Sequence, residues 1–100
     1  MEIIKKKENN VLKVALVGRL DTNTSPKLEQ AVKEDEDGVD KIYLDLKDLD
    51  YISSAGLRIV LVLHKAMTQK KGNLVVQHPK DEVMEVFDMT GFSSFLNIED

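Results

Sequence analysis

Two adjacent serines lie in the stretch Asp50-Tyr51-Ile52-Ser53-Ser54-Ala55-Gly56-Leu57, where a short acidic segment gives way to a long run of helical spacing. A hydroxyl at such a junction accepts a hydrogen bond from one of the free N–H groups that open a helix. Those N–H groups and the positive end of the helix dipole also suit a phosphate. The residue types thus allow a structural cap or a modification site, and these eight residues alone do not separate the two. Hydrolytic chemistry is a poor match. The serines lack the glycine two positions upstream that a nucleophile elbow requires. His64 lies further along the same helix, about 15 Å from Ser54 along the axis, too far to serve as its base. His64 and His78 are the only histidines, neither has a second ligand at metal-binding spacing, and His64 reads as a semi-buried helix residue. There is no glycine-rich phosphate loop. No cofactor and no metal are expected.

The composition narrows the field further. One hundred residues support a single domain over 1–100 with one modest core. With 42% hydrophobic and 32% charged residues the chain is of ordinary globular type. A net charge of −4 disfavours general nucleic-acid binding, which needs a concentrated basic face. The one basic cluster, Lys5-Lys6-Lys7, reads as protection of an edge strand against aggregation. Cysteine is absent, which excludes disulfides and thiolate chemistry and fits a reducing cytosol. The N-terminus lacks the apolar core of a signal peptide. The longest apolar run, Ile59 to Leu63, is too short to cross a bilayer. A soluble cytoplasmic protein without membrane insertion is the expectation.

The elements that must hold the serines follow from spacing. Ile3 to Lys7 reads as a strand, and Glu8-Asn9-Asn10 as a hairpin turn. Val11 to Val17 is almost continuously apolar, which predicts a central strand covered on both faces and ended by Gly18. Ser25-Pro26 predicts a helix start with Ser25 as cap. Its apolar stripe is Leu28, Ala31 and Val32. The acidic run Glu34 to Asp37 lies at the negative end of that helix and predicts a frayed last turn before Gly38. Lys41 to Leu46 is a second interior strand, and Ser54 to Lys71 a long helix closed by Gly72. Leu74 to Gln77 is a strand, and Val83, Val86 and Phe87 mark a helix that ends at Gly91, with Phe92 placed to pack back on Phe87. Phe95 to Ile98 reads as a short edge strand. The order ββαβαβαβ predicts an α/β domain with packed helices and a mostly parallel sheet carrying an antiparallel edge strand.

Two features exceed what the fold needs. The long helix is apolar in several directions: Leu57, Val60, Leu61, His64 and Met67 form one stripe, while Ile59, Val62, Leu63 and Ala66 point elsewhere. The surplus must meet other helices or a partner. Asp21, Asp48 and Asp50 follow strands at their carboxyl edge, where α/β sheets bind ligands and partners, and would form an acidic rim around Ser53 and Ser54.

The segment Asp45 to Leu57 resembles the signature of STAS domains, in particular the bacterial anti-sigma factor antagonists, with an apolar strand running into a loop of the type aromatic-apolar-Asp-Ser-Ser/Thr/Ala-Gly-Leu. Gly18-Arg19-Leu20-Asp21 matches that family's Gly-x-Leu/Ile-Asp. Val86-Phe87-Asp88-Met89-Thr90-Gly91-Phe92 resembles its late apolar-Phe-x-x-Ser/Thr-Gly-Leu/Phe segment. The resemblance implies a single STAS-like domain in which the regulatory serine falls on Ser54. Asp21, Asp50, Ser53, Ala55, Gly56 and Leu57 would form the phosphorylation loop and partner surface. Ser53 stands where the best-known members carry Asp. The implied partners are an anti-sigma factor serine kinase, which binds the unphosphorylated form and so releases a sigma factor, and a phosphatase that resets the switch. The alternatives are a STAS subunit that docks on a transporter ATPase or other signalling complex without phosphorylation, and a nucleotide-binding module. An enzyme fits least.

Overall fold

Asn9 adopts φ 55°, a left-handed conformation that asparagine tolerates in a tight turn. It folds strand β1 (Glu2–Glu8) back antiparallel on β2 (Val11–Leu20). The structure, a computed structural model, describes residues 1–99. After β2 come α1 (Ser25–Asp35), β3 (Lys41–Ile52), α2 (Ser54–Gln69), β4 (Asn73–Gln77), α3 (Asp81–Thr90), a short 3-10 turn (Phe92–Ser94) and β5 (Asn97–Glu99). The five strands lie in sequence order, with β2 to β5 mutually parallel and β1 antiparallel at the edge. This is the expected α/β architecture.

The strand order corrects one expectation. Each right-handed crossover steps in the same direction across the sheet, so all three helices fall on one face. Leu12, Val14 and Leu16 of β2 are buried under them with Ile42 and Leu44 of β3. Lys13, Ala15, Val17, Tyr43 and Asp45 alternate to the other side and retain solvent exposure. The apolar run of β2 is therefore covered on one face only.

Both central strands are longer than their spacing suggests. β2 continues through Gly18 to Leu20 and β3 continues past Leu46 to Ile52, so Asp48-Leu49-Asp50 lies within a strand rather than a loop. The apolar residues Leu46, Leu49 and Ile52 recur every third residue, which breaks strand alternation. Two register shifts repair it: Ala15↔Asp45 is followed by Val17↔Asp48, and Gly18↔Leu49 by Arg19↔Tyr51. Each inserts one extra β3 residue, so that Leu46, Leu49 and Ile52 are all buried.

Three other boundaries differ in detail. Thr24, not Ser25, is the cap position of α1; Ser25 is the first helical residue, 2% exposed, and its hydroxyl donates to the Asp21 carbonyl at 2.6 Å. The last strand is Asn97–Glu99 rather than Phe95 to Ile98. The long helix ends at Gln69, and Gly72 follows because a side chain there would strike the Asp40 carbonyl. Gly91 is left-handed at φ 83°, and Phe92 beyond it packs against the core that holds Phe87.

Helix α1 stops at Asp35, short of Gly38, and its acidic end is held by lysines. Lys5 donates to the Ala31 carbonyl at 3.1 Å and pairs with Glu34 and Asp35, each at 3.0 Å. Lys7 and Lys70 donate to the carbonyls of Asp37 (2.8 Å) and Glu36 (3.1 Å). Ammonium groups at the carbonyl end of a helix answer its dipole and offset the misplaced acids. Lys5 thus reaches across to α1 and Lys7 to the segment just after it, and Lys6 alone remains fully outward, paired with Glu8 at 2.9 Å.

Helix α2 turns Gly56, Leu57, Val60, Leu63 and Met67 inward. Leu63 is therefore part of the buried stripe, whereas Leu61 and His64 lie on its flank and Val62 is 40% exposed. The flank borders a groove of about 360 Å³ lined by Leu61, His64, Lys65, Thr68, Gln69 and Phe95. His64 is half-buried, with its ring against Phe95 at 5.2 Å between centroids.

Candidate functional site

The two serines have different jobs. Ser53 is the N-cap of α2, extended at φ −94° and ψ 176°, and its hydroxyl accepts from the Gly56 N–H at 3.2 Å. Ser54 is the first helical residue; it is exposed, and among the described residues its hydroxyl has no hydrogen-bond partner. The cap is thus filled by one serine, and the other is left free beside it.

Strand β2 fixes the position of this pair. Leu20 lies opposite Ile52, and its carbonyl accepts the Ser53 N–H at 2.9 Å. Gly56 then passes so close that a Cβ on it would come within 2.9 Å of the Ile52 and Leu20 side chains and of the Leu20 carbonyl. The glycine of the Ser-Ser-Ala-Gly sequence is there for this approach, not for an unusual backbone angle. Leu57 follows with its side chain only 7% exposed, so the flank of Leu57 expected to meet a partner is turned into the core. Ala55 is half-buried and Arg58 exposed. The surface that α2 presents at its start is therefore Ser54, Ala55 and Arg58.

The acids are not the free rim expected from their positions. Asp21 follows Leu20 directly and so lies next to Ser53 in the fold, but its carboxylate folds into its own turn. It accepts the backbone N–H groups of Asn23 and Thr24, both at 3.0 Å. The Thr24 hydroxyl closes the turn, accepting the Asp21 N–H and donating to the Arg19 carbonyl, each at 2.8 Å. The Thr24 N–H, with its hydroxyl and the Asn23 N–H, holds the Asp21 carboxyl below the ordinary carboxylate value, and the Arg19 charge adds to this. Asp50 pairs with the Lys80 ammonium at the start of α3, which raises the lysine pKa through that hydrogen bond. Asp48 remains exposed and unpaired among the described residues.

Three residues near the serines were not singled out by spacing. Lys80 ties the β3 extension to α3. Arg19 lies over the Tyr51 ring at 4.1 Å from its centroid, within the range of a cation–π contact. Arg58 lines a shallow cleft of about 220 Å³ between the starts of α1 and α2, with Thr22, Ser25, Pro26, Ala55 and Ile59. Arg58 had one legible signal, its position four residues after Ser54. The other two depend on pairings distant in sequence.

The STAS domain model matches residues 2–100. The chain belongs to the STAS domain family. It is 37% identical over 99 residues to BtrV of Bordetella bronchiseptica, covering 98% of this chain and 85% of that protein. It is 26% identical over 98 residues to the anti-sigma-B factor antagonist of Listeria monocytogenes, covering 96% of this chain and 85% of the relative. Among solved structures, the anti-sigma factor antagonist SpoIIAA superposes with a TM-score of 0.80 in its unphosphorylated form, at 16% identity, covering 99% of this chain and 88% of that one. The phosphorylated form of SpoIIAA, from Bacillus, superposes at 0.77. This STAS domain is therefore similar in sequence to anti-sigma factor antagonists and shares their fold. No helix among the described residues is long and apolar enough to cross a membrane.

Proposed function

We propose that this STAS domain is an anti-sigma factor antagonist that works by partner switching in the cytoplasm. In its unphosphorylated form it binds an anti-sigma factor serine kinase, which then releases its sigma factor. The kinase phosphorylates Ser54, binding is lost, and a phosphatase restores the first state. The domain acts by binding and is a substrate rather than an enzyme.

The observation that carries this reading is the free, exposed hydroxyl of Ser54 at the first position of α2, beside a Ser53 that already fills the cap. A kinase can modify Ser54 without breaking a hydrogen bond of the fold. The phosphate adds about −1.5 to −2 charges and three acceptor oxygens. The helix start tolerates that charge, whereas a docked partner must desolvate it. A cost of about 3 kcal/mol at the interface weakens binding about a hundredfold, enough for a switch. The similarity to named antagonists, and the existence of SpoIIAA in both phosphorylated and unphosphorylated forms, support the same reading.

The test is co-purification of the unphosphorylated chain with its kinase, followed by phosphopeptide mapping after incubation with ATP. Phosphate on Ser54, with dissociation of the complex, is the expected result. Capture of an ATPase that never phosphorylates the chain would instead favour a non-phosphorylated STAS subunit of a transporter or other complex. Phosphate found only on Ser53 would reverse the division of labour between the two serines.

A further inference from the structure

We propose that Arg58 is the charge partner of a phosphate on Ser54, so that phosphorylation withdraws a cation from the docking face as well as adding an anion to it. The inference rests on the reading of Ser54 as the modified residue. It starts from α2 itself, in which Ser54 and Arg58 are four residues apart and both exposed. Side chains at that spacing stand over one another on a helix, with about 6 Å between their Cβ atoms. Helical side chains also lean toward the N-terminus, which directs the guanidinium of Arg58 over the turn that begins with Ser54. Arg58 lines the cleft beside Ala55, the residue next to Ser54.

The cations around the loop differ in their commitments. Lys80 is held by Asp50, and Arg19 lies over the Tyr51 ring. Arg58 forms no ion pair or hydrogen bond among the described residues. The positions a turn away on either side of it, Ser54, Ala55, Leu61 and Val62, carry no acid. Arg58 is thus an uncommitted cation within reach of Ser54. A guanidinium also presents a planar fork that matches two phosphate oxygens, which a lysine does not. Before phosphorylation the free guanidinium faces an approaching partner beside Ser54. Afterwards it is satisfied within the chain.

The experiment uses the full chain with phosphoserine encoded at position 54, so it does not depend on any kinase. Phosphorus NMR follows the second ionisation of the phosphate, ordinarily near pH 6, in the unsubstituted chain, in Arg58→Gln and in Arg58→Lys. With Arg58 present the midpoint is expected about half a unit lower than in Arg58→Gln, because the cation favours the dianion. Arg58→Lys should fall between them. Equal midpoints in the unsubstituted chain and Arg58→Gln would overturn the pairing. Should Arg58→Gln fail to fold, the Arg58 Nε–H resonance of the unsubstituted chain decides. A shift on phosphorylation supports the pairing, and an unmoved resonance overturns it. If the pairing is found but the kinase leaves Ser54 unmodified in a separate phosphate-transfer assay, the parent reading fails and the electrostatic inference stands.

Discussion

The Ser53 hydroxyl accepts the Gly56 N–H at 3.2 Å, and this one bond divides two chemically identical neighbours into a structural residue and an available one. Ser53 satisfies a helix donor that would otherwise be unpaired. Ser54, one position on, has nothing to satisfy. The division gives stability and regulation separate side chains, so either can be changed alone.

Ser53→Ala is therefore expected to destabilise the domain by about 0.5–2 kcal/mol, the usual range for loss of an N-cap. Ser54→Ala should stay within about 0.5 kcal/mol of the unsubstituted chain, as exposed positions without partners do. Urea denaturation of the two variants side by side checks this. Equal losses would mean that the cap is shared.

Gly56→Ala tests the closeness of α2 to β2. Alanine gains about 1 kcal/mol of helix propensity over glycine. The new methyl, however, meets Ile52, Leu20 and the Leu20 carbonyl, all at 2.9 Å. Overpacking of this kind costs about 1–3 kcal/mol, and one of its three contacts is backbone that cannot rotate away. A net loss of stability is expected. A gain would show that the loop can back away from Leu20.

Ser54→Asp is expected to weaken kinase binding while leaving the domain folded. At a helix N-terminus the added charge is neutral or stabilising by about 0.3–1 kcal/mol. Aspartate carries one charge and lacks the phosphate geometry, so its effect on binding should be smaller than that of phosphorylation. Ser54→Ala should bind normally and resist phosphorylation. Thermal melts paired with an affinity titration separate a loss of charge complementarity from a loss of fold. Unweakened binding of Ser54→Asp would end the electrostatic account.

Asp21 predicts a pH dependence at the acid end. Its folded pKa lies below the ordinary value because the charged form is hydrogen-bonded, first by the Thr24 N–H. A depressed carboxylate contributes stability that is full above the unfolded value, about 3.9, and is lost as pH falls through the folded value. Stability measured from pH 6 downward should therefore decline below about pH 4, and Asp21→Asn should flatten part of that decline. An unchanged slope in Asp21→Asn would assign acid sensitivity to other carboxylates.

Lys5 joins the edge strand to the end of α1. Lys5→Met keeps an apolar stem and removes the ammonium from the Ala31 carbonyl, Glu34 and Asp35. The loss should be below about 1 kcal/mol, because the two carboxylates are solvent-accessible. The difference between Lys5→Met and the unsubstituted chain should shrink as salt is added. Chemical denaturation at low and high ionic strength reads both effects. A loss independent of salt would indicate packing rather than charge.

Much of this molecule is written locally. The Asn9-Asn10 turn, the β–α alternation, the Ser-Ser-Ala-Gly helix start and the terminal glycines act through neighbouring residues, so they can be read in order along the chain. The family motifs could be read for the same reason: Gly18 to Asp21 and Tyr51 to Leu57 are contiguous. Other features depend on which strand lies beside which. The three-residue spacing of Leu46, Leu49 and Ile52 looks unlike a strand until pairing with β2 introduces two extra residues. The open face of the sheet follows from a strand order that no single segment carries. Asp21 and Asp50 look like free acids in the sequence; in the fold, one turns back on Thr24 and the other meets Lys80. The acidic end of α1 looks unstable until Lys5 and Lys7 arrive from β1 and Lys70 from just beyond α2. Local backbone preference determined the kind and order of the elements. The tertiary structure decided which charges are satisfied and which are left to act, because electrostatic partners are chosen by distance in space.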